Sequence, residues 1–243
     1  MVSRADSSHI GTCLSCADIV AALYNGILKV DPTRPVWEER DRFFLSKGHG
    51  AAVVYAALAE RGFFPVSDLD TFSLYPSLLT GHISHHVPGV ELSTGSLGHA
   101  LPVACGVALA GHRAVVLMSD GELDEGSNWE AILFAGHHRL DTLTVIVDYN
   151  RIQSLGRVED VLELEPLAEK WRAFRWTVRE VDGHNCQAME DVLRTLSDGP
   201  CVVLAHTVKG KGVSYMENEL QWHYRSPKKE QLRQALAELG LAG

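Results

Sequence analysis

The 243-residue sequence has no apolar run of 18 or more residues, and so no helical segment able to span a bilayer. It has no cluster of Lys or Arg. The 22 basic residues stand against 31 acidic ones, for a formal net charge of −9, and the basic stripe that grips a nucleic-acid backbone is missing. Cysteines number five, an odd count and too sparse for a disulfide framework in a chain this long. The first residues, Met1-Val2-Ser3-Arg4-Ala5-Asp6, contain no apolar h-region, which argues against a secretory leader and for a reducing cytoplasm. Two nucleotide signatures are also absent. No Gly-x-Gly-x-x-Gly follows a predicted strand, and Lys209-Gly210-Lys211-Gly212 has neither the spacing nor the closing Ser/Thr of a P-loop.

What remains is a chain that alternates strand-like and helix-like patches. Hydrophobic residues make up 46% of it, enough for a substantial core. Leu14–Leu28 is apolar at helical spacing, Ala51–Arg61 is an Ala-rich helix stopped by Gly62, and Ser67 is a candidate cap for a short helix to Tyr75. Gly98–Gly111 and Gly126–Arg139 are predicted helices, the second carrying Trp129, Ile132, Leu133 and Leu140 on one stripe. Two further helices are expected near 187–197 and 228–241. Apolar runs at Ala114–Met118, Leu143–Val147, Trp176–Val181 and Cys201–Ala205 have the length of buried parallel strands, and Phe43–Ser46 is a further short apolar run before Gly48-His49-Gly50. The order predicts an α/β fold, a parallel sheet flanked by helices on both faces, with ligands at the carboxyl edge of the strands. No repeat or internal linker divides it, so residues 1–243 are expected to form one domain. Residues 76–98 read as one long loop, rich in Gly, His, Pro and Ser, of the kind that carries function.

The segment with the most chemistry is Ser119-Asp120-Gly121-Glu122-Leu123-Asp124-Glu125-Gly126, with Asn150 following a second strand about thirty residues later. If the two strands are neighbours, a carboxylate and an amide oxygen share one edge, a donor set suited to a hard cation such as Mg²⁺. Gly121 leaves the backbone bare for a phosphate. The plainer reading makes Asp120 a helix cap and Asn150 a turn residue. His82-x-x-His85-His86 could suggest zinc, though no cysteine or carboxylate nearby completes a tetrahedral set. Cys13-x-x-Cys16 could suggest redox chemistry, but no strand precedes it and packing accounts for it.

Asp120 to Asn150 resembles the diphosphate–metal motif of thiamine-diphosphate enzymes, and Asp120–Ala131 resembles transketolase in particular. Further stretches match that family in order: Ser7-Ser8-His9-Ile10-Gly11, Asp41 to His49, Thr80-Gly81-His82, Thr94 to Gly98, Lys209 to Gly212, and Trp222-His223. The resemblance implies thiamine diphosphate held through Mg²⁺ (or Ca²⁺ or Mn²⁺). Asp120, Asn150 and the main-chain carbonyl of Ile152 would be the metal ligands. It implies that Gly121 and Glu122 meet the diphosphate end, and that Gly95, Ser96 and Leu97 meet the aminopyrimidine ring. It places His9, His49, His82 and His223 in the substrate channel over the thiazolium, with His49, His223 and Lys209 also beside the cofactor. It implies that Glu125 and Glu130 lie at a subunit interface, and Trp129, by its position after the metal loop, is equally a candidate for interface or core. Two positions depart from the family pattern: Ser119 stands for the first Gly of Gly-Asp-Gly, and Ile10 for a Pro.

The implied activity is transfer of a two-carbon ketol unit from a ketose phosphate to an aldose. An alternative is a specialised pathway with a non-sugar acceptor or a 2-oxo acid donor. No glutamate here matches the one that activates the cofactor. The resemblance therefore implies a split enzyme, in which a C-terminal partner subunit supplies that glutamate within an α2β2 heterotetramer.

Overall fold

The computed structural model describes residues 1–195 and 197–241. Five strands form one sheet: β1 (Arg42–Leu45), β2 (Ala114–Ser119), β3 (Leu143–Tyr149), β4 (Thr177–Asp182) and β5 (Cys201–His206). Their order is β1-β2-β3-β5-β4, and every pairing is parallel. The three central strands read as unbroken apolar runs because both faces are covered. Side chains alternate between the faces. Val115, Leu117, Ile146 and Val203 point into one apolar cluster, with residues of α1 (Ile10–Ser15), α2 (Ala17–Ala22) and α3 (Ala51–Glu60). Val116, Met118, Val145, Val147, Val202 and Leu204 point into the other, with α4 (Ala100–Leu109) and α5 (Gly126–His138). The expected fold class and the four expected strands are present, and the short apolar run at Phe43–Ser46 forms a fifth, β1.

Several local features differ from the sequence expectation. The stripe at 14–28 is not one helix. It is α1, α2 and a wide turn over Leu23–Ile27, where Gly26 adopts φ +151. Ser15 lies at the break, with its hydroxyl turned to Asp148 at 2.7 Å. Ser67 caps nothing: Val66–Thr71 is a 3-10 turn entered from Pro65, with no side-chain cap bond. On α5, Ile132 is buried but Leu133 is 58% exposed, so the stripe is narrower than its spacing suggested. Between β3 and β4 lie two short helices, α6 (Val158–Val161) and α7 (Leu167–Ala173), too brief for periodicity to reveal. The helix expected at 187–197 is α8 (Cys186–Arg194), and position 196 of that expectation lies outside the described residues. The last helix is α9 (Glu230–Glu238).

The loop expected at 76–98 has no helix or strand, and the irregular stretch begins earlier, running from Phe72 to His99 where a helix to Tyr75 was expected. It is fixed by tertiary hydrogen bonds in their place. The Tyr55 hydroxyl donates to His82 O and accepts from Ser84 N, both at 3.1 Å. Ile83 N donates to Gly48 O at 2.9 Å, and Thr94 Oγ1 to Leu45 O at 2.6 Å. The loop thereby lies along the carboxyl end of β1, and it brings His82 and Gly95 to the edge where β2 and β3 end. Among the described residues, no helix is long and apolar enough to cross a membrane.

Candidate active site

Asp120 follows β2 and Asn150 follows β3, which are paired neighbours, so both side chains stand on the carboxyl edge. The two ends of the motif are joined through Arg151, the residue after Asn150. Asp120 is 1% exposed. Its Oδ1 accepts from Gly121 N at 2.7 Å and its Oδ2 from Arg151 N. Asn150 donates its amide hydrogens to Ser15 Oγ at 3.0 Å and Asp148 Oδ2 at 3.3 Å. With its donors spent there, its Oδ1 is left as the acceptor; that oxygen takes Ile152 N at 3.0 Å and keeps a free lone pair.

Asp148 anchors this arrangement. It is fully buried and takes hydrogen bonds from Lys47 Nζ, Thr207 Oγ1 and Ser15 Oγ. Burial alone would raise its pKa, but the Lys47 ammonium and the hydroxyl donors outweigh burial and hold it below the usual carboxylate value. Asp120 has no cation in ion-pair contact among the described residues, and the more distant Lys209 only partly offsets its burial. Burial, then the Asp148 charge, pushes it up to about 6. Lys209, also buried, donates to Ile152 O at 2.8 Å and lies 3.2 Å from His223 Nδ1. Burial lowers its ammonium to about 8.

Four imidazoles close the other part of the cleft. His9 lies 5.1 Å from His49, 5.6 Å from His82 and 5.1 Å from His223, centroid to centroid, and His49 lies 5.2 Å from His223. His9 has φ +75, an uncommon conformation for a residue with a side chain, and its amide donates to His223 O at 3.1 Å. Burial, with help from neighbouring cations and rings, lowers His9 to about 4, His223 to about 3, and His49 well below 6.5. These three rings are therefore neutral at pH 7. NMR titration of the His9 and His223 Cε1–H signals should show no inflection between pH 5 and 8; a midpoint near 6.5 for either would contradict the packed, desolvated cluster.

A single cleft of about 210 Å³ gathers these groups. The sequence-predicted residues on its wall are His9, His49, His82, Gly95, Leu97, Asp120, Gly121, Asn150, Ile152, Lys209 and His223. Two predicted contacts are not brought to it. Ser96 is exposed beyond the wall, and Glu122 is buried behind it. Glu125 and Glu130 are exposed on and beside α5, while Trp129 is half-buried and donates its indole N–H to Leu123 O at 2.8 Å. Lys47, Asp148, Thr12 and Gln153 also line the cleft and were not foreseen as site residues. Lys47 lies inside the family-like stretch Asp41 to His49, and Asp148 stands two residues before Asn150, and those positions were the available signal. Elsewhere, His85 Nδ1 bonds to Ser93 Oγ at 2.7 Å, and the Cys13 and Cys16 thiols are buried, which raises them to about 11 and about 12. A larger cavity of about 810 Å³ lies at the opposite strand edge, but Arg113 and Arg194 there are already paired with Asp41 and Glu190.

The residues present suit a hard cation carrying a diphosphate. The donors are oxygens: a desolvated carboxylate, an amide oxygen oriented by Asp148 and Ser15, and the Ile152 carbonyl. A Cβ on Gly121 would lie 2.5 Å from Gln153 Cβ, so only glycine fits where the wall must stay close and bare. Among the described residues, no three His, Cys, Asp or Glu side chains form a metal cage of their own.

An all-parallel α/β domain with an oxygen-donor pair and a glycine wall at its carboxyl edge is a diphosphate-binding domain in class. Residues 1–243 match the family described as transketolase, thiamine diphosphate binding domain. The chain belongs to the transketolase family. It is 41% identical to an apulose-4-phosphate transketolase subunit of Phocaeicola vulgatus, over 98% of this chain and 88% of that one. It is likewise 41% identical to the 6-deoxy-6-sulfo-D-fructose transketolase subunit of a Clostridium species, over 100% and 92%. The crystal structure of Campylobacter jejuni transketolase superposes with a TM-score of 0.93 at 31% identity, covering 98% of this chain but 40% of that one. The chain thus spans about two-fifths of that solved transketolase and nearly the whole of the two subunit relatives.

Proposed function

We propose that this chain is the diphosphate-binding subunit of a two-chain transketolase, one domain over 1–243, working in the cytoplasm. The observation that carries the reading is the junction of Asp120 with the Asn150 turn in the same cleft as four imidazoles. Asp120, Asn150 Oδ1 and Ile152 O would hold Mg²⁺, Ca²⁺ or Mn²⁺, with Gly121 against the diphosphate and Gly95 and Leu97 against the aminopyrimidine. Thiamine diphosphate, when bound, supplies the carbanion chemistry that lets a ketose exchange its two-carbon unit.

The chain's own residues bind and orient the sugar. His9, His49, His82 and His223 crowd one wall. The neutral rings among them each offer one N–H donor and one acceptor nitrogen, a set matched to the hydroxyls of a ketose. Their lowered basicity makes them hydrogen-bond donors to a developing alkoxide more readily than strong bases. Lys209, beside His223, adds a positive charge at the same wall.

The activating glutamate is assigned to a C-terminal partner subunit in an α2β2 assembly. The coverage of relatives called subunits supports this, as does the surface of α4 and α5, where Val103, Leu109, Leu133 and Phe134 are exposed beside Glu125 and Glu130. The subunit relatives are named for apulose 4-phosphate and 6-deoxy-6-sulfo-D-fructose, which favours a second reading: a specialised donor in place of a common ketose phosphate. Product analysis of the co-purified complex decides the substrate question. Ketose phosphates converted with aldose acceptors support the main reading, whereas turnover only with modified ketoses or 2-oxo acids supports the second. No ketol transfer with any donor would contradict both.

A further inference from the structure

Two stretches of the cleft wall come from distant parts of the chain: Gly95 and Leu97 from the loop before α4, and Asp120–Gly121 from the turn after β2. One side chain that lines neither joins them. Glu122 is 0% exposed. Its Oε1 accepts from Gly98 N at 2.9 Å and from Ser46 Oγ, at the end of β1, at 2.5 Å. Gly98 is held on its other side too, because its carbonyl accepts from Ser127 Oγ at 2.7 Å. At φ +83, a Cβ there would stand 2.5 Å from Ser127 Oγ and 2.8 Å from Glu125 Cβ, so only glycine can sit between these two holds. The turn itself is tied down, with Asn128 Nδ2 donating to Glu122 O at 2.6 Å. Glu122 Oε2 is buried with no hydrogen-bond partner. A buried carboxylate so poorly satisfied is costly, and packing alone does not call for one.

We propose that Glu122 is a positioning residue that locks the 95–98 segment to the 120–124 turn at one spacing. This rests on reading those two segments as the ring and diphosphate contacts of the cofactor. Glu122 then matters for a ligand that spans both segments and hardly at all for one that touches only the turn. Thiamine diphosphate is the first kind of ligand, and inorganic diphosphate with Mg²⁺ is the second.

The test uses the full chain with Glu122→Ala and Glu122→Gln, the latter retaining an oxygen that can accept from Gly98 N. Glu122→Ala should weaken thiamine diphosphate binding about tenfold, the scale of one lost hydrogen bond to a charged group, and leave Mg²⁺–diphosphate binding within about twofold. Glu122→Gln should restore most of the loss. Without any ligand, amide hydrogen exchange at Gly98 should quicken in Glu122→Ala and not in Glu122→Gln. Equal loss of both ligands, or Gly98 exchange unchanged in Glu122→Ala, would overturn the proposal. If the unsubstituted chain and its complex bind neither ligand, the cofactor reading fails instead, and Gly98 exchange still decides whether the lock exists.

Discussion

Asp120→Asn removes metal-dependent retention of thiamine diphosphate, by about 100-fold or more in affinity. Disturbing a residue that only supports a metal ligand costs about 10- to 100-fold, and a ligand itself should cost at least as much. Asp120 is the one carboxylate among the three assigned donors, and it is desolvated, with its proton affinity raised by burial and by Asp148. A divalent cation beside it would oppose that shift and hold the carboxylate charged to lower pH. Asparagine is the informative replacement because it keeps the shape and one acceptor oxygen, for one of the two amides of Gly121 and Arg151 that bond to separate oxygens of Asp120, while deleting the charge. Alanine would leave both N–H groups unpaired and confuse binding with folding. Calorimetry with and without Mg²⁺ checks the expectation; undiminished retention by Asp120→Asn would remove the metal assignment.

Lys47→Met is expected to have the largest effect on stability, about 3–5 kcal/mol, because it strands the Asp148 carboxylate in the core. Both side chains of the pair are essentially unexposed, at 0% and 1%. Ser15 and Thr207 would still donate to Asp148, but hydroxyl dipoles do not replace a full charge. The double variant Lys47→Met/Asp148→Leu should recover much of that loss, since a buried pair replaced by apolar groups is often neutral. It should not recover cofactor binding. Asn150 loses the acceptor that fixes its amide, so its oxygen is no longer aimed. Denaturant midpoints together with cofactor titration separate the two effects. A single-variant cost under about 1 kcal/mol would contradict the view that Asp148 depends on Lys47.

How much of this was legible in the sequence follows from what local patterns encode. The strands were visible because burial on both faces makes continuous apolar runs, as in Ala114–Met118 and Leu143–Val147. Asp120 and Asn150 were visible because the chain order fixes them just past neighbouring strands. The break at Ser15 was not, because it is set by a partner 133 residues away. The same holds for Glu122. Its sequence position beside Asp120 suggested contact with the diphosphate, but its side chain turns the other way, to Ser46 and Gly98. Ser96 illustrates a further limit. In an irregular loop, consecutive residues face unrelated directions, so Gly95 and Leu97 reach the cleft and Ser96 does not. The neutrality of His9 and His223 depends on how closely the rings pack, which motif spacing does not encode.

The central claim is that this chain holds the diphosphate-binding half of an active site and depends on a companion for the rest. Ketol transfer measured with Mg²⁺, thiamine diphosphate, a ketose phosphate and an aldose tests it directly, with the purified chain alone and with a companion resembling the remainder of transketolase. No turnover is expected from the chain alone, and transfer is expected once the companion is added, lost again in Asp120→Asn. Robust transfer by the chain alone would contradict the claim.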